Sequence, residues 1–358
     1  MMSGCIAPYN GNAFSSSMML GVTALAYQQS DLELQTASGV TSDSYAGLGS
    51  NRKQALSLEP ALTQISAWSG NVTQVQNRLS LTQSTLGQIS AISTALGTTL
   101  GTLGGTVQAG AVTTVAAQAK QALQTLGGLL NTPDGNGGYL FGTAGSGDAP
   151  VASGGLAAGG LAASIGGIVS QVNEVGGAAV LDQTLGLAGS TQAGEPFSAA
   201  LSVSPEEAGG LVERPVTGAG QTTPDGIVAT QGGAASATST GSPIRDLIRN
   251  LMVVSSLSPS MVSGSGYQQL VAGLQNSSIA TGAGLADMSA GLGVTQNGLT
   301  SQASMLSRMT TAFTSQLDAT KAADPAAVSV QLTSVKNQLQ ASYTVIANMK
   351  GMTLADYI

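Results

Sequence analysis

Histidine is absent from the 358-residue chain. That removes the usual general base, the Ser-His-Asp triad and most zinc sites. Cysteine occurs once, as Cys5, so no intrachain disulfide forms, and nothing in the sequence around it marks an activated thiol. Aromatic residues make up 3% of the chain while glycine fills 49 positions, so large core-filling side chains are scarce and a single compact core is disfavoured. Charged residues account for only 8%. Polarity comes instead from Ser, Thr, Gln and Gly, which favours association over solvated disorder. The net charge is −7, and no Lys or Arg lies between Lys120 and Arg214, a span that holds acidic residues from Asp134 to Glu213. A phosphate backbone finds no footprint there, and the scattered cations make no polybasic patch for anionic lipid. No basic start followed by an apolar stretch precedes Ser17, so export, if it occurs, is expected to use a route other than a cleaved signal peptide.

What is present is helical periodicity at both ends. Asp324 is placed as an N-cap, Pro325 as the first helical residue, Lys350 lies in the last turn and Gly351 follows as a stop. Between them Val328, Leu332, Val335, Leu339, Ser342, Ile346 and Met349 alternate in steps of four and three, a narrow stripe that faces a partner helix. Leu299, Ala303, Leu306, Thr310, Phe313 and Leu317 repeat the step just before it. Near the other end, Ser15 to Ser17 offer caps for a helix from about Met18 to Ser38, with Gly39 as its stop and a loop over Thr41 to Ser50. A long segment from about Pro60 to Leu103 carries Leu62, Ile65, Val72, Leu79, Leu86, Ile89 and Leu96 near heptad spacing. Gly70, Gly87, Gly97 and Gly101 interrupt it, each at about 1 kcal/mol relative to Ala, so its order is expected to depend on covering helices. Heptads leave open whether those belong to the same chain or to another. Val112, Val115, Ala119, Ala122, Leu126 and Leu129 predict a further helix that ends at Asn131-Thr132-Pro133.

Residues 144 to 243 are rich in small side chains, with Pro196, Pro205, Pro215 and Pro224 among short apolar runs. Short strands or irregular loops are expected. Val151 to Ser170 lacks charge and has Gly155 and Gly159 at a close-packing spacing. A flexible surface segment is the favoured reading, and a membrane-inserting segment the alternative. Ser50-Asn51-Arg52-Lys53 matches S-x-x-K, in which a lysine one turn away activates a serine, but its companion motifs are absent and a solvated helix start is the plainer reading. Asp134-Gly135-Asn136-Gly137-Gly138 lacks the Lys-Ser or Lys-Thr of a P-loop and reads as a turn. No catalytic residue, cofactor or metal site is assigned.

Several stretches resemble one family. Leu34-Gln35-Thr36-Ala37-Ser38-Gly39 followed by Ser42-Asp43-Ser44-Tyr45-Ala46-Gly47 is similar to the Ser-Gly loop after the first helix of the bacterial flagellin superfamily. Ala55-Leu56-Ser57-Leu58-Glu59 resembles its shorter members. Leu129-Leu130-Asn131-Thr132 and Tyr139-Leu140-Phe141-Gly142 look like the close of its N-terminal core, and Ile244-Arg245-Asp246-Leu247-Ile248 like the start of its C-terminal helices. Asp324-Pro325, Leu339-Gln340-Ala341-Ser342-Tyr343 and Leu354-Ala355-Asp356-Tyr357-Ile358 stand in the order of its last helix. Val40 departs from the basic residue that often follows the Ser-Gly pair, and Gly138 from the Arg that often precedes Tyr-Leu-Phe.

The resemblance covers about residues 18 to 143 and 244 to 358 and includes filament flagellins and the hook–filament junction protein, hook-associated protein 3 type. It implies an extracellular structural subunit of the flagellum rather than an enzyme, exported uncleaved by the flagellar type III route and used for swimming motility. Implied partners are copies of itself, other axial proteins such as flagellin and hook-associated proteins, and an export chaperone. The expected fold is mainly α, with long coiled-coil-like helices from both termini packed together and a small irregular, β-containing central domain. The expected divisions are a flexible tail at 1–17, an N-terminal helical core at 18–143, a variable central domain at 144–243 and a C-terminal helical core at 244–358. The stripe residues Leu62, Ile65, Val72, Leu79, Leu86, Leu306, Phe313, Leu317, Val328, Leu332, Val335, Leu339, Ile346 and Met349 are the expected assembly interface.

Overall fold

The computed structural model describes residues 11–104, 109–152, 155–191 and 196–351. The chain forms two compact units, one from Met1–Ser66 with Arg308–Ile358 and the other from Ala67–Ser307. Cys5 and the Leu354–Ile358 motif lie outside the described residues.

The first unit is built around α1 (Gly11–Ser38) and α11 (Pro325–Gly351). α1 begins at Gly11, so residues expected in a flexible tail are helical. It ends where the sequence predicts, at Gly39, whose φ of 71° is easy only for glycine. α11 starts at Pro325 because the Asp324 carboxylate accepts hydrogen bonds from the N–H groups of Ala326 (2.9 Å) and Ala327 (3.3 Å). It continues through Gly351, which was expected to lie past its end. The two helices run antiparallel around a thin apolar core of Leu32, Val328, Val335 and Leu339, flanked by Val22, Leu25 and Leu332. The turns at their shared end are tied by main-chain bonds. Thr41 N–H donates to the Lys321 carbonyl (2.7 Å), and Ala323 N–H to that of Gly39 (2.9 Å).

The loop that follows α1 tightens into a 3₁₀ turn over Tyr45–Asn51, then α2 (Arg52–Leu103) begins. The expected start at Pro60 is therefore late, because Pro60 is accommodated inside the helix. Its missing N–H leaves the Leu56 carbonyl without its helical donor, and the residue is exposed. In this unit α2 meets the end of α10 (Ser265–Lys321), where Lys321 pairs with Glu59 at 3.0 Å and the Asn51 side-chain amide donates to the Thr320 carbonyl.

In the second unit the remaining turns of α2 and α10 also pack antiparallel. Gln76 donates to Thr300, and Gln275 to the Leu100 carbonyl, so partners rise along one helix as they descend the other. On α2 the buried positions are Val72, Val75, Leu79, Thr82, Thr85, Leu86, Ile89, Ser93, Leu96, Leu100 and Leu103. All but Thr85 keep three–four alternation, the pattern that holds one seam against a neighbour over many turns. On α10 Leu285, Leu292, Leu299 and Leu306 are buried every seventh residue. A hairpin of β1 (Val216–Gly218) and β2 (Gln221–Thr222) is fixed to both helices, Asn71 donating to the Val216 carbonyl and Gln302 to that of Thr217.

α3 (Ala109–Leu130) matches the predicted third helix and packs against α9 (Pro243–Ser255). Before α9 the chain forms α4 (Gly155–Ala158), α5 (Gly160–Ser170), α6 (Val172–Val175), α7 (Gly177–Ala188) and α8 (Pro205–Ala208). The first half of the central region is thus helical, which corrects the expectation of strands and loops. Val151–Ser170 is not a flexible surface segment, since Val151, Leu156, Ile165 and Val169 are buried. Small residues are what let these helices come close. A Cβ on Gly177 would stand 2.4 Å from both the Gly266 carbonyl oxygen and the Leu270 nitrogen of α10, so only glycine permits the contact. Among the described residues no helix is long and apolar enough to cross a membrane.

α9 is buried along its whole length from Ile244 to Val254, charged residues included. Arg245 donates to the carbonyls of Leu201 (3.2 Å) and Val203 (2.9 Å) and lies over the Phe197 ring. Asp246 accepts from Thr240 N–H and the Ser239 hydroxyl. Arg249 donates to Asn250 and Ser277. Burial pulls both guanidinium groups below their ordinary range, and Asp246 offsets this at Arg249.

Candidate assembly surface

The stripe expected to be the interface is largely covered by the chain's own helices. Ile65, Val72, Leu79 and Leu86 are buried on α2, Leu306 on α10, and Val328, Val335 and Leu339 on α11. Leu62, Phe313, Leu317, Leu332 and Ile346 are half-buried. The side chain of Met349 lies outside the described residues. In particular, the Val328–Leu339 seam meets Leu32 of α1, which answers within the chain the question of partner that periodicity leaves open.

The surface left for another molecule in this unit is a different one. On α1, Met19, Leu20, Tyr27 and Leu34 are between 58% and 71% exposed, and on α11 Val330, Tyr343 and Val345 are exposed as well. Leu20, Tyr27 and Leu34 recur every seventh residue, a second heptad stripe that the sequence carries in plain view. The capping residues at Ser15 to Ser17 and Gly39 mark only the ends of this segment and carry no information about its outer face. Large apolar side chains held this far out of a two-helix pair lack the cover that makes such helices stable in water. Among the described residues the one ion pair across the two helices, Glu33–Lys336 at 3.6 Å, is half-exposed at both partners and adds little.

The second unit has an electrostatic node at the end of the N-terminal core. Arg78 of α2 holds Asp134 of the Pro133–Tyr139 turn, donates to the Tyr139 carbonyl (3.1 Å) and lies 3.4 Å from Asp225. Burial alone would raise the Asp134 carboxyl, but N–H donors from Asn136 and Gly138 and the Arg78 charge hold it below the usual range. Asp225 goes the other way. Burial is the largest influence, Arg78 only partly opposes it, and nearby Glu213 and Asp134 add to it, so its carboxyl is pushed up to about 6. Its Oδ1 is buried with no hydrogen-bond partner. The glycine-rich run that reads as a turn in the sequence therefore closes the node.

The Ser50 and Lys53 side chains are exposed, and Ser50 donates to Asn51, at 3.4 Å. Ser50 lies in the 3₁₀ turn just before α2 and Lys53 in the first turn of α2. Among the described residues no group of Cys, Asp and Glu has the geometry to hold a metal ion. No protein-family model matches the chain, and no curated protein matches it.

Proposed function

We propose that the chain is a structural subunit of the bacterial flagellum, either a filament flagellin or the hook–filament junction protein, that assembles with copies of itself and other axial proteins for swimming motility. The supporting observation is the antiparallel pairing of α1 with α11, the helices nearest the two ends of the chain, with Leu20, Tyr27, Leu34, Val330 and Tyr343 left facing outward. A hairpin with a core this thin gains stability when further helices cover its outer faces. The motifs at Leu34–Gly47 and Asp324–Tyr343 tie that hairpin to the flagellin superfamily. On this reading the chain leaves the cell uncleaved through the flagellar type III route with the help of an export chaperone.

Removing residues 325–358 should leave the protein synthesised but unable to enter a filament. Filaments built from the truncated chain, seen by electron microscopy, would count against the proposal. A deletion strain then separates the two roles. Loss of filaments with flagellin released into the medium indicates the junction protein, whereas abundance of this chain in sheared filaments indicates flagellin.

A further inference from the structure

Three Asn-Gly pairs occur in the chain, at Asn10-Gly11, Asn136-Gly137 and Asn297-Gly298. Asn10 lies outside the described residues. An asparagine followed by glycine is chemically labile, because the glycine nitrogen closes on the side-chain carbonyl with no side chain of its own in the way. What the backbone does with that glycine N–H decides whether the ring forms.

The two described pairs are equally open to water and differently held. Asn136, Gly137, Asn297 and Gly298 are all exposed. Asn297-Gly298 lies in the interior of α10, where the Gly298 N–H is spent on the helical bond to the carbonyl four residues back. Asn136-Gly137 lies instead in the turn between Pro133 and Tyr139, which face each other as an isolated bridge. There the neighbours are tied and the reacting atoms are not. The N–H groups of Asn136 and Gly138 both donate to Asp134 Oδ1, at 2.8 and 3.0 Å, and Asp134 N–H donates to the Gly138 carbonyl (3.0 Å). Among the described residues neither the Asn136 side-chain amide nor the Gly137 N–H has a hydrogen-bond partner. Gly137 has a φ of 90°, and beyond its chain neighbours nothing stands within 4 Å of where a side chain would begin. The pair is anchored on both sides, with free space for ring closure between.

We propose that Asn136-Gly137 is a site of spontaneous deamidation that alters the Arg78 node. The Gly137 nitrogen gives up its proton to solvent base and attacks Cγ of Asn136. A new C–N bond forms, the bond from Cγ to Nδ2 breaks and ammonia leaves, which gives a cyclic imide. Water then opens the ring at either carbonyl, to aspartate or to isoaspartate. Only water is consumed, so the change needs neither a partner nor assembly. Asn136 shares the wall of a recess with Arg78, Asp134, Gln74 and Asn77. Arg78 already serves Asp134 and Asp225, and Glu213 lies near Asp225. A further carboxylate there is left short of a cation. Isoaspartate also adds a methylene to the main chain between the two N–H groups that grip Asp134, which slackens the turn.

The test ages the full folded chain at mildly alkaline pH and follows each Asn-Gly pair by peptide mass spectrometry. Asn136 should convert at close to its rate in urea, and Asn297 at least about tenfold more slowly than Asn136, since α10 must open first. In urea the two should convert alike. The deamidated chain, separated from fresh chain by anion exchange, should unfold at a lower temperature at neutral pH. Asn136→Gln, whose longer side chain closes a ring only slowly, should yield no such low-melting fraction on ageing. Conversion of Asn136 no faster than Asn297 in the folded chain overturns the inference, because the turn then protects its amide as a helix does. So does chain deamidated at Asn136 that melts with the fresh chain, because the change then does not reach the node.

Discussion

Replacing Asp225 with Asn removes a buried charge while keeping the shape of the side chain. Asp225 is 6% exposed, one of its oxygens has no hydrogen-bond partner, and the cation 3.4 Å away is already committed to Asp134. Its carboxyl is raised from 3.8 to about 6 in the folded chain. A folded-state value above the unfolded one means that the native chain holds the proton more tightly. The stabilisation this gives is fully present below the unfolded value and is lost as pH rises through about 6. A shift of this size corresponds to about 3 kcal/mol between the two protonation states. Asp225→Asn should therefore raise the thermal midpoint at pH 7.5, by several degrees at most for a unit of this size, and the gain should fade as pH drops from about 6 toward the unfolded value of 3.8. Thermal unfolding followed by circular dichroism between pH 4.5 and 8 measures it. If the variant were less stable than wild type at pH 7.5, with the deficit growing at higher pH, the Arg78 attraction would outweigh burial and the reasoning would fail.

Two further outcomes follow from packing and capping. Gly177→Ala places a Cβ against the main chain of α10, which backbone movement alone can relieve, so the loss should be about 1 to 3 kcal/mol in denaturant melts. Asp324→Ala removes the acceptor at the start of α11 and should cost about 1 kcal/mol, visible as faster amide exchange over the first turn of that helix while α3 is unaffected.

Much of the architecture was legible because the heptads are strict. The third helix, the stop at Gly39 and the start at Asp324-Pro325 follow from local chemistry, whereas the pairing of the terminal helices was expected only from the family resemblance. Pro60 misled because proline is read as a first-turn residue, whereas here the helix carries it in its interior at an exposed position. The central helices were hidden by composition. Ile165, Val169 and Val172 have helical spacing, as do Val180 and Thr184, but glycine and alanine between them lower every local propensity, and it is the partners on α9 and α10 that make the segments helical. The burial of Arg245 and Arg249 was beyond reach, because each leans on an acceptor far along the chain, the Leu201 carbonyl for Arg245 and the Ser277 hydroxyl for Arg249. The division between compact units, at Ser66 and Ser307, also falls inside continuous helices where no composition break marks it.

The antiparallel pairing of α1 with α11 sets an order on folding. Leu32 and Val335 touch although some three hundred residues separate them. Closing a flexible loop of that length carries an entropic penalty of about 5 kcal/mol, more than four thinly packed side chains readily offset. Contacts inside Ala67–Ser307, such as Gln76 with Thr300, bring the ends of that segment together and shorten the effective loop. The terminal hairpin is thus the last part of the chain to close, and it waits for α11 however early α1 is made.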